Sequence, residues 1–143
     1  MRRILFVDDE QQVLDGLRDL LRKQRKEWDM VFALGGQQAL LEFARSEFDV
    51  VVSDMRMPGM DGVALLHKVK ELYPAAARII LSGHAEREAV VSALPVAHQF
   101  LSKPFTAKLI FQHLKPVIES QQPFVRAKVS FGPDRPRNKK PAP

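Results

Sequence analysis

Acidic side chains follow two of the apolar runs in this 143-residue chain. Asp8 and Asp9 come directly after the run Ile4–Val7, and three valines and a serine precede Asp54. Runs of this kind are typical of strands buried on both faces of a parallel sheet. Ligands and chemistry collect at the carboxyl ends of such strands, so Asp54 is a candidate functional residue. The alternative is that Asp54 caps the next helix, but Asp61 is better placed for that.

Two further polar residues follow apolar segments later in the chain. Ser82 comes directly after residues 78–81, and Lys103 comes shortly after residues 99–101. If the strands lie side by side, a hydroxyl and an ammonium group join the carboxylates at one edge of the sheet. Carboxylates packed together need a counter-charge, which indicates a divalent cation. Magnesium fits best, because it is a hard cation that takes carboxylate oxygens and water.

The elements that must position these residues alternate between strand and helix. Strands are predicted at 4–7, 28–33, 50–52, 78–81 and 99–101. Helical periodicity follows each strand, with the fourth helix near residues 86–94 and the last from 106 to about 120. Five such units predict an α/β fold, a single doubly wound parallel sheet with helices on both faces.

Composition limits the class of protein. The length suits one domain, 45% of the residues are apolar, and the absence of Cys excludes disulfides and thiolate chemistry. The amino-terminal apolar run is too short for a signal peptide or a membrane span, so we predict a cytoplasmic protein without a membrane partner.

The positive charge is confined to a tail. From Pro123 onward six basic residues accompany one acidic residue, which accounts for the whole net charge of +5. The neutral body gives no reason to expect nucleic acid as a partner of this domain. We predict a domain over residues 1–121 and a basic, proline-rich tail over 122–143, in which the alternation of residues 124–131 suits a short strand.

The four histidines come from separated segments without the spacing of metal ligands. We therefore interpret most of them as surface residues. His84 is the exception, because it stands two residues after Ser82 and so close to the predicted site.

Taken together, these motifs resemble the receiver domain of two-component response regulators. The resemblance covers about residues 3 to 120 and rests on five features in the same order. These are Asp8-Asp9, Asp54, the Met-Arg-Met-Pro-Gly-Met-Asp-Gly run after it, Ser82-Gly83 and Lys103-Pro104. It implies the flavodoxin-like strand order 2-1-3-4-5.

The resemblance also implies roles for individual residues. Asp54 is the expected phosphoacceptor, receiving a phosphoryl group from the phosphohistidine of a partner histidine kinase or phosphotransfer protein. Asp9 and Asp54 are the expected Mg²⁺ ligands together with the backbone carbonyl of Arg56, and Asp8 acts mainly through water. Lys103 is expected to pair with Asp54 at rest and with a phosphoryl oxygen afterwards.

Further roles follow from the same resemblance. Ser82 is expected to hydrogen-bond the phosphoryl group, and Phe100 is a candidate switch aromatic, the alternative being an ordinary core residue. Arg56 and His84 occupy positions that tune hydrolysis of the acyl phosphate. We therefore expect a phosphoacceptor with slow self-dephosphorylation and not an enzyme that turns over a substrate.

Two departures from the family pattern concern partners. Residues 94–97 replace the usual small-residue pair between the fourth and fifth strands, which puts the usual homodimer face in doubt. No output-domain pattern follows the last helix, so the output is expected in a further domain or a downstream protein. Residues 82–85 and 98–104 are similar to receivers joined to HD-type output domains.

Two other functions remain open from the sequence. One is a pseudo-receiver, which keeps the fold as a protein-interaction module without phosphorylation. The other is a phosphohydrolase on a similar sheet, for which the chain offers no second acid placed as a general base.

Overall fold

A computed structural model describes residues 2–82, 93–102, 112, 114–117 and 128–130. At residues 82, 99, 102 and 128–130 it describes the backbone alone. Within these ranges no helix has the length and apolar character needed to cross a membrane.

Among the described residues, six strands form one sheet in which every pair of neighbours is parallel. The strand order is β2-β1-β3-β4-β5-β6, which confirms the predicted order 2-1-3-4-5 for the first five. The sixth strand lies within the segment for which the sequence predicted a short strand. The strands are β1 (Arg2–Asp8), β2 (Trp28–Leu34), β3 (Val50–Asp54), β4 (Ala77–Ser82), β5 (Gln99–Ser102) and β6 (Lys128–Ser130).

Three α-helices follow the first three strands, and a 3-10 helix at Arg22–Lys26 extends the first connection. The helices are α1 (Gln11–Leu20), α2 (Gly36–Arg45) and α3 (Gly62–Leu72). The predicted fourth helix lies mostly outside the described residues. Within the predicted last helix, residues 112 and 114–117 are described and helical.

Apolar side chains fill both faces of the sheet, as the continuous apolar runs of the strands predicted. On one face Leu14 and Leu17 of α1 pack with Leu114 and Val117 from the last helix. On the other face α2 and α3 pack in a second cluster, which includes Phe43. Helices therefore cover both faces, and the doubly wound architecture is confirmed.

The strand register brings the carboxyl ends of the central strands to one edge of the sheet. Val7 pairs with Ser53, and Asp54 pairs with Leu81. One strand further along, Ser82 pairs with Ser102. The residues at and just after the ends of β1, β3, β4 and β5 therefore lie along a single edge, which we call the carboxyl edge.

Candidate functional site

Three carboxylates meet at the carboxyl edge. Asp8 and Asp54 are the last residues of β1 and β3, and Asp9 follows Asp8 directly. One carboxylate oxygen from each lies within 4.8 Å of the others. Asp8 and Asp54 are 2% and 6% exposed, whereas Asp9 is half-buried. The sequence predicted these three acids as neighbours, and the structure brings them together.

The connection between β2 and α2 holds the backbone of Asp8. The N–H of Gly35 donates to the Asp8 carbonyl at 2.9 Å, and the N–H of Glu10 donates to Asp8 Oδ1 at 3.0 Å. Gly35 has a φ of 93°, in the left-handed region that favours glycine. The glycine turn after β2 therefore supports an acid at the end of β1.

The start of α3 presses against the backbone of Asp54. Gly62 is buried there, and a Cβ at this position would overlap the Asp54 carbonyl. The same carbonyl accepts a hydrogen bond from Ser53 Oγ at 2.9 Å. In addition, Met55 N–H donates to the Leu81 carbonyl at 3.1 Å, and Gly62 N–H donates to the Met55 carbonyl at 2.8 Å.

Asp61 has the other role that the sequence assigned to it. It is the N-cap of α3, and its Oδ1 accepts a hydrogen bond from Ala64 N–H at 2.8 Å. Because this cap is made by Asp61, Asp54 is not needed to begin the helix.

The remaining predicted site residues are described to different extents. The backbone of Ser82 ends β4 at the carboxyl edge, and Lys103 and His84 lie outside the described residues. Arg56, two residues after Asp54, is exposed. Phe100 is fully buried, in the cluster that contains α2 and α3, so its ring lies inward.

The charge of the three acids determines what the site can bind. Three carboxylates within 4.8 Å repel one another, and burial of two of them strengthens the repulsion because little water screens it. A nearby cation relieves this repulsion. The donor set consists of hard carboxylate oxygens, which suits Mg²⁺ better than a softer metal that prefers nitrogen or sulfur. The residues present therefore fit the cation that the sequence predicted.

One histidine departs from the expectation that most of them are surface residues. His98 is 8% exposed and not a surface residue, whereas His67 is exposed as expected. The Nδ1 of His98 accepts a hydrogen bond from the backbone N–H of Arg78 at 2.9 Å, and its Nε2 lies 3.5 Å from Arg78 Nη2. The bond to Nδ1 gives this buried ring a backbone partner, which indicates a structural role.

Arg78 itself was not recognised as a candidate. It is 6% exposed on β4, next to His98, at the end of the sheet opposite the carboxyl edge. The sequence offered one indication of it: an arginine stands directly before the apolar run Ile79–Leu81, in a strand predicted to be buried. Its partners are mainly backbone carbonyls, which residue types do not reveal.

The fold and this edge define a doubly wound α/β domain with a cluster of acidic side chains where the parallel strands end. The family model of the response regulator receiver domain matches residues 4–115, and the chain belongs to this family. A response regulator receiver protein from Anaeromyxobacter sp. (strain Fw109-5) is 35% identical over 103 residues. That alignment takes in 66% of this chain and 42% of the relative, so the chain spans less than half of its length.

Solved structures show the same fold. The signal receiver domain of an HD domain-containing protein from Pseudomonas fluorescens Pf-5 is 31% identical, with a TM-score of 0.77 over 82% of this chain and 94% of that chain. The response regulator protein TrrA from Thermotoga maritima, solved in complex with Mg(2+)-BeF, is 26% identical. Its TM-score is 0.71 over 82% of this chain and 99% of that chain.

Proposed function

We propose that this receiver domain accepts a phosphoryl group on Asp54 from the phosphohistidine of a partner histidine kinase or phosphotransfer protein. The observation that carries the proposal is the meeting of Asp8, Asp9 and Asp54 within 4.8 Å at the carboxyl edge. A single buried carboxylate would be explained by one structural hydrogen-bond or ion-pair partner. A nucleophilic carboxylate with two further acids beside it suits metal-assisted phosphoryl transfer.

The acids would hold Mg²⁺, which supplies positive charge that neutralises the oxygens of the transferring group. Asp9 and Asp54 are the proposed direct ligands, with the Arg56 carbonyl as a third and Asp8 acting through water. TrrA, a relative with the same fold, was solved in complex with Mg(2+)-BeF, which supports this assignment.

In the proposed reaction a carboxylate oxygen of Asp54 attacks the phosphorus atom. The phosphorus–nitrogen bond of the partner's phosphohistidine breaks, and its electron pair stays on the leaving imidazole. The product is an acyl phosphate on Asp54. Burial of Asp54 to 6% exposure limits access of water to the reacting atoms. Lys103 is proposed to pair with a phosphoryl oxygen and thereby stabilise the added charge.

Phosphorylation is proposed to change the surface of the domain through Ser82 and Phe100. The Ser82 hydroxyl would hydrogen-bond the phosphoryl group, and Phe100 would be held in its inward position, which is the one described here. Arg56 and His84 follow Asp54 and Ser82 by two residues each, where they would tune the slow hydrolysis of the acyl phosphate.

The response would pass to another domain or protein. We place the domain boundary near residue 121, before the basic tail. One relative of the same fold is the receiver of an HD domain-containing protein, in line with the likeness of residues 82–85 and 98–104 to such receivers. An HD-type output is therefore the first candidate for a domain acting with this one, and a homodimer is the second candidate partner.

Incubation with acetyl phosphate, with and without Mg²⁺, tests the proposal. We expect intact-mass analysis to show one added phosphoryl group only when Mg²⁺ is present, and we expect alkali to remove it, as it does from acyl phosphates. A chain that binds Mg²⁺ but takes up no group from acetyl phosphate or from phosphohistidine would instead be a pseudo-receiver.

A further inference from the structure

We propose that Arg78 is a positioning residue for phosphoryl transfer, which sets β5, and with it Lys103, in place relative to Asp54. This rests on the role proposed above for Lys103. Arg78 lies four residues before Ser82 on β4, so it cannot touch the reacting atoms. Its effect must pass through the position of the neighbouring strand.

The guanidinium of Arg78 on β4 donates hydrogen bonds to two connections, the one that precedes β4 and the one that precedes β5. Nε donates to the Val96 carbonyl at 2.6 Å, in the connection that precedes β5. Nη1 donates to the carbonyls of Ala76 at 3.0 Å and Pro74 at 3.2 Å, in the connection that precedes β4. A single side chain therefore fixes the entry to both strands.

The backbone of Arg78 sets the register between the same strands. Its N–H donates to Nδ1 of His98 at 2.9 Å, and its carbonyl accepts from the N–H of His98 at 2.6 Å. Regular pairing begins one residue later, where Ile79 lies opposite Gln99. The imidazole of His98 thus accepts the hydrogen bond at the position just before regular pairing of β4 with β5 begins.

Burial of Arg78 has a cost that its contacts offset. Desolvation by burial lowers the pKa of the Arg78 guanidinium, and among the described residues no carboxylate contacts it. An apolar side chain of similar length would fill the space without that cost. The guanidinium adds three hydrogen bonds to fixed carbonyls, and their main effect is on geometry rather than on net stability.

The position of β5 matters because this strand leads directly to Lys103. β5 has four residues, and its last residue, Ser102, lies opposite Ser82 at the carboxyl edge. A slip of one residue would move the strand by about 3.3 Å and turn Phe100 to the other face. The three acids lie at or directly after the ends of β1 and β3, which pair with each other without β5. Loss of the Arg78 contacts should therefore affect phosphoryl transfer and leave the metal ligands in place.

The substitution Arg78→Met tests this separation. We expect the initial rate of phosphorylation by acetyl phosphate at saturating Mg²⁺ to fall about tenfold or more, because small misplacements of reacting groups have large effects on rate. The Kd for Mg²⁺, measured by titration calorimetry, should stay within about twofold of the wild-type value, since its ligands are not on β5. Arg78→Lys, which keeps the charge but loses the planar set of donors, should recover part of the rate.

A matched control is Arg45→Met, because Arg45 is exposed and forms one ion pair with Glu42 at 3.6 Å. We expect it to leave both readouts unchanged. A second variant, His98→Leu, removes the acceptor for the Arg78 N–H and should also slow the rate without weakening Mg²⁺ binding. An unchanged rate in Arg78→Met, or a loss of Mg²⁺ affinity in parallel with the rate, would overturn the proposal.

Hydrogen exchange of the β5 amides keeps this inference separate from the proposed function. We expect faster exchange at Phe100 and Leu101 in Arg78→Met than in the wild type, because the strand is held less firmly. Equal exchange in the two proteins overturns the role of Arg78, whether or not phosphorylation occurs. If the wild type takes up no phosphoryl group at all, the proposed function fails and the role of Arg78 in transfer falls with it, even where exchange is faster.

Discussion

Two clusters of largely buried polar groups lie at opposite ends of the same sheet, and they differ in how their charges are arranged. At the carboxyl edge, Asp8, Asp9 and Asp54 gather like charges within 4.8 Å. At the other end, Arg78 donates to neutral carbonyls and its backbone exchanges hydrogen bonds with His98. The first arrangement concentrates charge, and the second disperses it among backbone groups.

On the roles proposed above, this difference separates a site that binds a cation from a cluster that positions a strand. Hydrogen-bond partners for a buried guanidinium come from the fold itself, so the Arg78 cluster is complete without a ligand. Neighbouring carboxylates repel one another, and a cation that binds the folded state stabilises it by relieving that repulsion. Changes at the carboxyl edge should therefore alter binding and chemistry, whereas changes at the Arg78 cluster should alter geometry.

The largest effect is expected from Asp54→Asn. This variant should take up no phosphoryl group, because an amide is not a nucleophile for this reaction, and intact-mass analysis after acetyl phosphate treatment measures the result. Asp19→Asn is the matched control, since Asp19 is an exposed acid on α1, and it should be phosphorylated like the wild type. A stable adduct on Asp54→Asn would show that the nucleophile is another residue.

Asp9→Ala should weaken Mg²⁺ binding about tenfold or more and slow phosphorylation with it, because one of the two carboxylates proposed as direct ligands is lost. In the absence of metal, the free energy of unfolding should hold or rise, since one of three repelling charges has gone. Calorimetric titration and urea unfolding measure the two quantities. A large loss of metal-free stability would instead make Asp9 a structural residue.

Gly62→Ala tests how tightly the acidic end is packed. The added Cβ would overlap the Asp54 carbonyl, so the free energy of unfolding should fall by about 2 kcal/mol. Gly16→Ala is the control, because a Cβ there meets nothing within 4 Å and alanine favours the helix by about 1 kcal/mol. Urea unfolding of both variants should give changes of opposite sign. Equal stability of Gly62→Ala and the wild type would contradict the close approach.

The smallest effect is expected from truncation after Ser120. This change removes β6, which pairs with β5 from Gln99 to Leu101, but it leaves every residue of the proposed site. Phosphorylation should stay intact, while self-association should change because the edge of β5 becomes free to pair with another chain. Sedimentation velocity compares the two chains. Identical sedimentation over a range of concentrations would count against a docking role for this strand.

Much of the fold was predictable because each central strand contains an apolar run and each described α-helix has its own apolar periodicity. The end of β3 at Asp54 and the cap at Asp61 followed from residue types alone. The 3-10 helix at Arg22–Lys26 did not, because its residues carry charge without an apolar face that would mark it.

The candidate site was predictable to a similar extent and for a related reason. Carboxylates at strand ends are visible in a sequence, and parallel strands bring their ends together, so Asp8, Asp9 and Asp54 could be grouped in advance. The burial of His98 could not, because its partner is a backbone N–H of Arg78. Backbone donors and acceptors are present at nearly every residue, and only the folded register selects which of them meet.

The close packing around Asp54 bears on which strands of the domain can move. Its backbone is wedged between the Ser53 hydroxyl and the start of α3, where not even a methyl group would fit at Gly62. A strand end packed this closely resists displacement, so a phosphoryl group added to Asp54, as proposed above, would be accommodated mainly by movement outside β3. The accompanying movement would then fall on neighbouring strands that are held less firmly in the sheet. The four-residue β5 is the most compliant of the first five strands on this reasoning, since it is the shortest and has only a three-residue strand beyond it.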